Sequence, residues 1–286
     1  MASRPMWRHQ LSLAVFLALA AITLKADVPA SGMRFATATS RRHDPNKIHQ
    51  RRFDQQYDSY NWSGYAVTGA SGSVTDVKGS WTVPTVACSS GSKRQSQSQY
   101  SSFWIGIDGF SDSTVEQLGT DSDCQNGKPT YYAWFEFYPN PMYLINNLTV
   151  HPGDVVSAEV VADGSGVFTV SLTDVTTGQS SGGISAQVPG AQQSSAEWIA
   201  EAPSSRKGIL PLANFASVAF GQNYTRVDST CFVTVNGTAG SIGSFGADVQ
   251  EITMVGEHAP YATKAAPSAL TTDGTSFTDT WYSAGP

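Results

Sequence analysis

The sequence predicts an all-β fold, a β-sandwich, and three observations carry that expectation. Short runs rich in β-branched and aromatic residues follow one another from residue 57 onward. Clusters of Gly, Asn, Asp, Pro and Ser separate the runs. No window of helical period exceeds about ten residues. Many short strands punctuated by turns at this spacing suit a sandwich better than any helical architecture.

The predicted strands are Tyr60–Thr68, Val74–Val83, Phe103–Asp108, Val115–Gly119, Tyr131–Tyr138, Val155–Ala162, Gly166–Asp174, Ala196–Glu201, Ser217–Phe220, Cys231–Val235, Ile252–Met254 and Ser276–Tyr282. A hydrophobic content of 40% with 11% aromatic residues supplies a real core, while charged residues make up only 14%. Ser, Thr and Gly fill the gaps, a mix that favours strands and turns.

The start of the chain has a different character. Arg4 and Arg8 precede the apolar run Leu11–Leu24, and small residues follow near Ala26. This reads as a secretory signal peptide over residues 1–26, since the run is short of the roughly 20 residues a membrane span needs. The mature protein is therefore expected to be secreted, extracellular and without a membrane segment. Residues 27–56 are basic and polar, with no strand or helix period, and a composition break follows at Gln55-Gln56-Tyr57. They are expected to be a prosegment, cationic and laid across an acidic domain as an intramolecular inhibitor. Residues 57–286 form the expected catalytic domain, acting as a monomer.

Residues 1–56 hold 9 of the 17 Lys and Arg but 3 of the 23 Asp and Glu, which leaves 8 basic and 20 acidic residues in 57–286. That balance argues against nucleic acid as a partner. It also suits acid, where carboxylates become neutral and few cations remain to repel one another. Of the three cysteines, Cys88 and Cys124 sit in polar, turn-like segments flanking one strand region, and they are the favoured disulfide. Loop-closure entropy makes such a bridge worth about 4 kcal/mol in the chain-entropy model. Cys231 lies in an apolar strand-like run and is expected to be buried and unpaired. So few Cys and His argue against a metal site, no H-E-x-x-H occurs, and no cofactor is expected.

Candidate chemistry concentrates on strand faces. In Tyr131–Pro139 the period of two sets Tyr132, Trp134, Glu136 and Tyr138 on one face and Ala133, Phe135 and Phe137 on the other. The first set places a carboxylate among amphipathic rings, an arrangement that lines peptide-binding clefts. Trp104, Gly106 and Asp108 likewise share a face opposite Phe103, Ile105 and Ile107. Glu197 stands in an otherwise apolar strand, so it needs a partner or a shifted pKa, and either marks a candidate for acid–base work.

Six blocks in this order resemble a known family: Asn61–Ala66, Gly79–Pro84, Phe103–Gly109, Gln117–Asp121, Tyr132–Pro139 and Ala196–Glu201. Together they resemble the glutamic peptidases, or eqolisins, acid proteases of fungi and some prokaryotes. The cysteine placing is closer to prokaryotic-looking members. The resemblance covers most of residues 57–286 and implies a sandwich of two curved antiparallel sheets. It also implies polypeptide substrates, with Gln117 and Glu197 catalytic and a cleft taking in Trp62, Trp104, Asp108, Trp134, Glu136 and Tyr138. In the mechanism so implied, ionised Glu197 activates a water and Gln117 steadies the oxyanion. A carboxyl pKa near 4 would match that cycle.

Rival readings are weaker. No Asp-Thr/Ser-Gly tripeptide occurs, which sets aside the paired-aspartate peptidases. Gly178-Gln-Ser-Ser-Gly182 matches G-x-S-x-G but falls in a polar turn, away from any strand–turn–helix context. A secreted carbohydrate-binding sandwich remains the alternative, although a lectin has no latent activity for a prosegment to restrain. Asn61, Asn147, Asn223 and Asn236 head glycosylation sequons.

Overall fold

A computed structural model describes residues 35–37, 41–53, 55–88, 98–221 and 231–285. The expected signal peptide lies outside the described residues. The architecture is the predicted sandwich. One sheet runs, in spatial order, through strands Tyr143–Ile145, Lys128–Tyr138, Val115–Gln125, Ser102–Ile107, Ser195–Glu201, Trp62–Thr68 and Val249–Val255. The other joins Val167–Asp174, Val155–Ala162, Val74–Thr82, Ser217–Phe220 and Phe277–Trp281. Pairing passes from one sheet to the other through Thr263–Pro267, which bonds to both Val249–Val255 and Phe277–Trp281.

The inner faces follow from alternation along each strand. Phe103, Ile105, Leu118, Phe135 and Trp198 meet Val77, Trp81, Val156, Val160, Phe168 and Val170 in one apolar core. Each such side chain taken fully out of water contributes about 1.5–3 kcal/mol. The sheets come close together at Gly79, where a Cβ would stand 2.6 Å from Ile105 and 2.9 Å from Trp198. The Trp198 indole fills that gap and donates its N–H to the Lys78 carbonyl at 2.8 Å. The Cys88–Cys124 disulfide is formed as expected, and Cys231 is buried and free.

Three expectations need correction. The segment read as lacking strand period contains a strand, Ile48–Phe53, paired with Gln56–Ser59. It lies at the sheet edge, where charged residues such as Arg51 and Arg52 are the usual protection against further pairing, so its core-facing signal is faint. Arg52 pairs with Asp58 at 2.6 Å and Gln50 bonds the same carboxylate at 2.8 Å. Gln56–Ser59 in turn joins Val249–Val255 in parallel, an exception to the antiparallel expectation. Finally, the strand expected to stop at Gly119 continues to Gln125, because Asn126-Gly127, both at positive φ, forms the tight hairpin turn to Lys128.

One buried acid ties the fold to low pH. Asp279 is fully buried between the sheets, where the Ser63 hydroxyl donates to it at 2.7 Å. Burial pushes its carboxyl up to about 8. A folded-state pKa above the unfolded value means that the stabilisation is complete in acid and is lost as pH rises toward 8. Urea midpoints should therefore fall between pH 4 and pH 8, and Asp279→Asn should narrow that difference; an unchanged difference would assign the pH dependence elsewhere.

Candidate active site

The face of the first sheet turned away from the core carries a second apolar cluster that includes Trp62, Trp104, Trp134, Met142 and Ile199. Strand register sets its polar residues in transverse rows. In one row Glu197 lies opposite Gly106, Gly106 opposite Gln117, and Gln117 opposite Glu136. Glu197 and Gln117 are thus two strand spacings apart, about 10 Å between backbones. Gly106 keeps the space between them open: a Cβ there would stand 3.0 Å from the Trp104 ring and 3.2 Å from the Gln117 Cβ.

Residues 41–47 of the basic segment lie over this face, and His43 is their centre. Its N–H donates to Glu136 Oε2 at 2.9 Å, and the Gln117 side-chain amide donates to its carbonyl oxygen at 2.8 Å. Its ring stacks on Trp134, 3.7 Å between centroids and 6° from parallel. Nδ1 lies 3.2 Å from Glu201 Oε2 and Nε2 lies 3.0 Å from the Met142 sulfur. The Trp104 indole N–H donates to the same Glu201 oxygen at 2.8 Å.

On the amino-terminal side, Arg42 exchanges backbone hydrogen bonds with Ser204. Arg41 pairs with Asp123, stands 3.6 Å from Asp121, and lies between the Tyr100 and Tyr132 rings. On the carboxyl-terminal side, Trp62 Nε1 donates to the Asp44 carbonyl at 3.1 Å, and Asn61 donates to the carbonyls of Asp44 and Pro45. Asn46 N–H reaches the Gly109 carbonyl at 2.9 Å. A peptide is held here largely through its main chain, in one direction and one register.

Burial governs the electrostatics. Glu197 is fully buried, and among the described residues neither of its oxygens has a well-formed hydrogen bond. Burial holds its carboxyl well above the usual range; the Ser195 hydroxyl eases this slightly, and Asp108, Asp112 and Glu116 add repulsion. The carboxyl near pKa 4 expected from the sequence is thus not what the occupied site presents. Glu136 and Glu201 are likewise raised by burial. Asp123 is pushed up to about 7 by burial and by Asp121, against the pull of Arg41.

Gln117, Glu197, Trp62, Trp104, Trp134 and Glu136 all come together on this face, with Tyr138 packed at the edge of its apolar cluster. Asp108 is engaged differently. Its carboxylate accepts the backbone N–H groups of Gln192, Gln193 and Ser194, each at 2.7 Å, and so fixes the loop that leads into the Glu197 strand. Sequence reasoning missed His43, Glu201, Met142 and the Asp121/Asp123 pair. Glu201 was within reach: it is four residues beyond Glu197 and shares its strand face.

A profile described as the Peptidase A4 family matches residues 60–255. Aspergillopepsin-2 of Aspergillus niger is 33% identical over 186 residues, covering 58% of this chain and 64% of that protein, so the match spans less than two thirds of the relative. A crystal structure of scytalido-glutamic peptidase with a peptide-based transition state analog superposes with a TM-score of 0.59 at 24% identity, over 78% of this chain and 98% of that one. Aspergilloglutamic peptidase from Aspergillus niger superposes with a TM-score of 0.53 at 26% identity, over 64% and 99%.

Replacing His43 removes a stacked ring and its hydrogen bonds, worth together roughly 2 kcal/mol. With His43→Ala, trypsin at neutral pH should cut after Arg41 or Arg42 about tenfold faster or more than in the parent chain. Equal rates would show that the ring does not hold the segment down.

Proposed function

The chain belongs to the Peptidase A4 family, and we propose that it is a secreted acid endopeptidase in which Glu197 and Gln117 hydrolyse peptide bonds. Residues 1–26 direct export, residues 27–56 form an inhibitory prosegment and residues 57–286 carry the catalytic domain. The observation that most supports this is the Gln117 amide donating to a peptide carbonyl, His43 C=O, at 2.8 Å while Glu136 takes the same residue's N–H. A carbohydrate-binding face has no need of that main-chain register. The peptide-based analog bound by scytalido-glutamic peptidase supports a polypeptide as the ligand of this fold.

In the proposed reaction, a substrate carbonyl takes the position of the His43 carbonyl. Ionised Glu197 removes a proton from a water, whose oxygen attacks the carbonyl carbon. The Gln117 N–H stabilises the oxyanion. Glu197 then passes its proton to the leaving nitrogen as the C–N bond breaks. With the site filled, burial keeps Glu197 protonated and unable to start this cycle. Departure of the segment admits water, and hydration returns the carboxyl toward the acid range where it works as a base. Latency thus has two sources, a blocked cleft and a disabled base.

Acid weakens the segment's hold through particular groups. The Arg41 attraction fades as Asp123 takes up its proton on falling through about pH 7. Burial, and then Arg41, keep the His43 pKa well below its free value. A base whose pKa is depressed on binding favours the bound state above its free pKa, near 6.5, and disfavours it below. Glu136, Glu197 and Glu201, whose carboxyls burial raises while the segment is in place, work the other way and favour the bound state in acid, so release depends on His43 and the Arg41–Asp123 pair outweighing them.

Gln117→Ala and Glu197→Gln should each fold like the parent and lose about 100- to 1,000-fold in turnover, the usual loss for an oxyanion donor. Digestion of a denatured protein at pH 3–4, followed by peptide mapping, reads this directly. Near-parental cleavage by either variant would remove that residue from the mechanism.

A further inference from the structure

We infer that the outer side of strand Tyr143–Ile145, at the edge of the first sheet, is a binding site outside the cleft, and that it takes the extended chain of a polypeptide substrate at the seventh to ninth residues before the scissile bond. The inference rests on the peptidase reading, in which the carbonyl held by Gln117 belongs to the residue just before that bond. The observation behind it is a second strand in the basic segment, Phe35–Thr37, paired antiparallel with Tyr143–Ile145. Phe35 lies opposite Ile145, Ala36 opposite Leu144 and Thr37 opposite Tyr143. One run of chain thus pairs with the sheet edge and then lies over the cleft face at residues 41–47. Thr37 is six residues ahead of His43. A substrate lying in the cleft in the same direction therefore brings its own chain to the same edge.

Tyr143–Ile145 is held firmly from its inner side. Leu144 lies opposite Trp134, and Tyr143 opposite Phe135, on the neighbouring strand. The Tyr143 ring stacks on Phe135, 5.4 Å between centroids and 15° from parallel, and Ile145 is buried in the inter-sheet core. On its outer side the strand pairs, among the described residues, with Phe35–Thr37. Departure of the basic segment therefore uncovers a rigid length of strand edge. Native sheets commonly protect such an edge with charged side chains or with proline. Here no Asp, Glu, Lys or Arg occurs from Phe137 to Val150, and the strand itself has no proline. The far end of the segment is different: Ile48–Phe53 carries Arg51 and Arg52 and is followed directly in the chain by its partner Gln56–Ser59. Strand addition suits a peptidase substrate, because main-chain bonds supply affinity and ask only for an extended stretch free of proline. A second contact tethered to the first acts at high effective concentration, so even three residue pairs count once the cleft is engaged.

The full chain, activated by incubation in acid, provides the test at pH 4. A short stretch that it cuts in denatured casein is identified by mass and synthesised from three residues before the cut bond onward. Three longer peptides carry an added leader. The first leader is Phe-Ala-Thr-Ala-Thr-Ser, the sequence of residues 35–40. The second has Phe35→Pro, Ala36→Pro and Thr37→Pro together, and the third joins Phe-Ala-Thr directly to the casein stretch. The first leader should raise kcat/KM about tenfold over the bare stretch. The gain should come through KM with kcat little changed, as expected of binding remote from the reacting bond. The proline and shortened leaders should stay within about twofold of the bare stretch, the first because it cannot join a sheet edge and the second because it cannot reach this one. Equal kcat/KM for all four peptides, or an equal gain from the proline leader, would overturn the edge site while digestion of casein keeps the peptidase reading intact. Failure to digest casein would overturn the peptidase reading and the edge site with it.

Discussion

Everything at the site depends on one cross-strand register, the row Glu197–Gly106–Gln117–Glu136. Side chains alternate along a strand, so a slip of one residue in any of these pairings would turn that residue into the core and bring an apolar neighbour out. The register is secured from behind. Ile105, Leu118, Phe135 and Trp198, the neighbours on the opposite face, are locked in the inter-sheet core. The same packing that stabilises the sandwich thus aims the polar row, and the glycine in the middle leaves room for a peptide to lie against it. Asp108 extends this control to the loop before Glu197 through its backbone hydrogen bonds.

The second theme is the buried carboxyl group. Glu136, Glu197 and Glu201 on the cleft face, and Asp279 within the core, are all held above the ordinary carboxylate range by burial. At neutral pH such groups are a cost, because a charge must be kept dry or a proton held against the solvent. In acid they are neutral hydrogen-bonding groups and cost far less. A chain of this kind trades stability at high pH for a dense set of acids at low pH. The scarcity of Lys and Arg after residue 57 works in the same direction.

Much of this could be read from the sequence. The faces of Tyr131–Tyr138 and Phe103–Asp108 followed from a period of two, and aromatic and β-branched runs located most strands. The pairing of Cys88 with Cys124, and the isolation of Cys231, followed from their local surroundings. The bringing together of Gln117 with Glu197 followed only from the family resemblance, since register between strands distant in sequence leaves no local signal. The cleft-facing acids Asp121 and Asp123 escaped because the Asn126-Gly127 hairpin was not used to lengthen the strand. His43 escaped for another reason: a peptide held by its main chain needs no hydrophobic pattern of its own, so a segment of polar composition gave no sign of being buried.

The central claim is that residues 41–47 occupy the very site that performs hydrolysis. The most direct measurement follows hydrogen exchange of the 41–47 backbone and digestion of a denatured protein on the same samples as pH is lowered from 7 to 3. The account predicts that protection of the His43 amide and latency are lost together, with one midpoint. It also predicts that the Glu197→Gln chain loses protection without gaining activity. Full activity while the His43 amide remains protected would contradict it, as would loss of protection in the parent chain with no digestion at any pH.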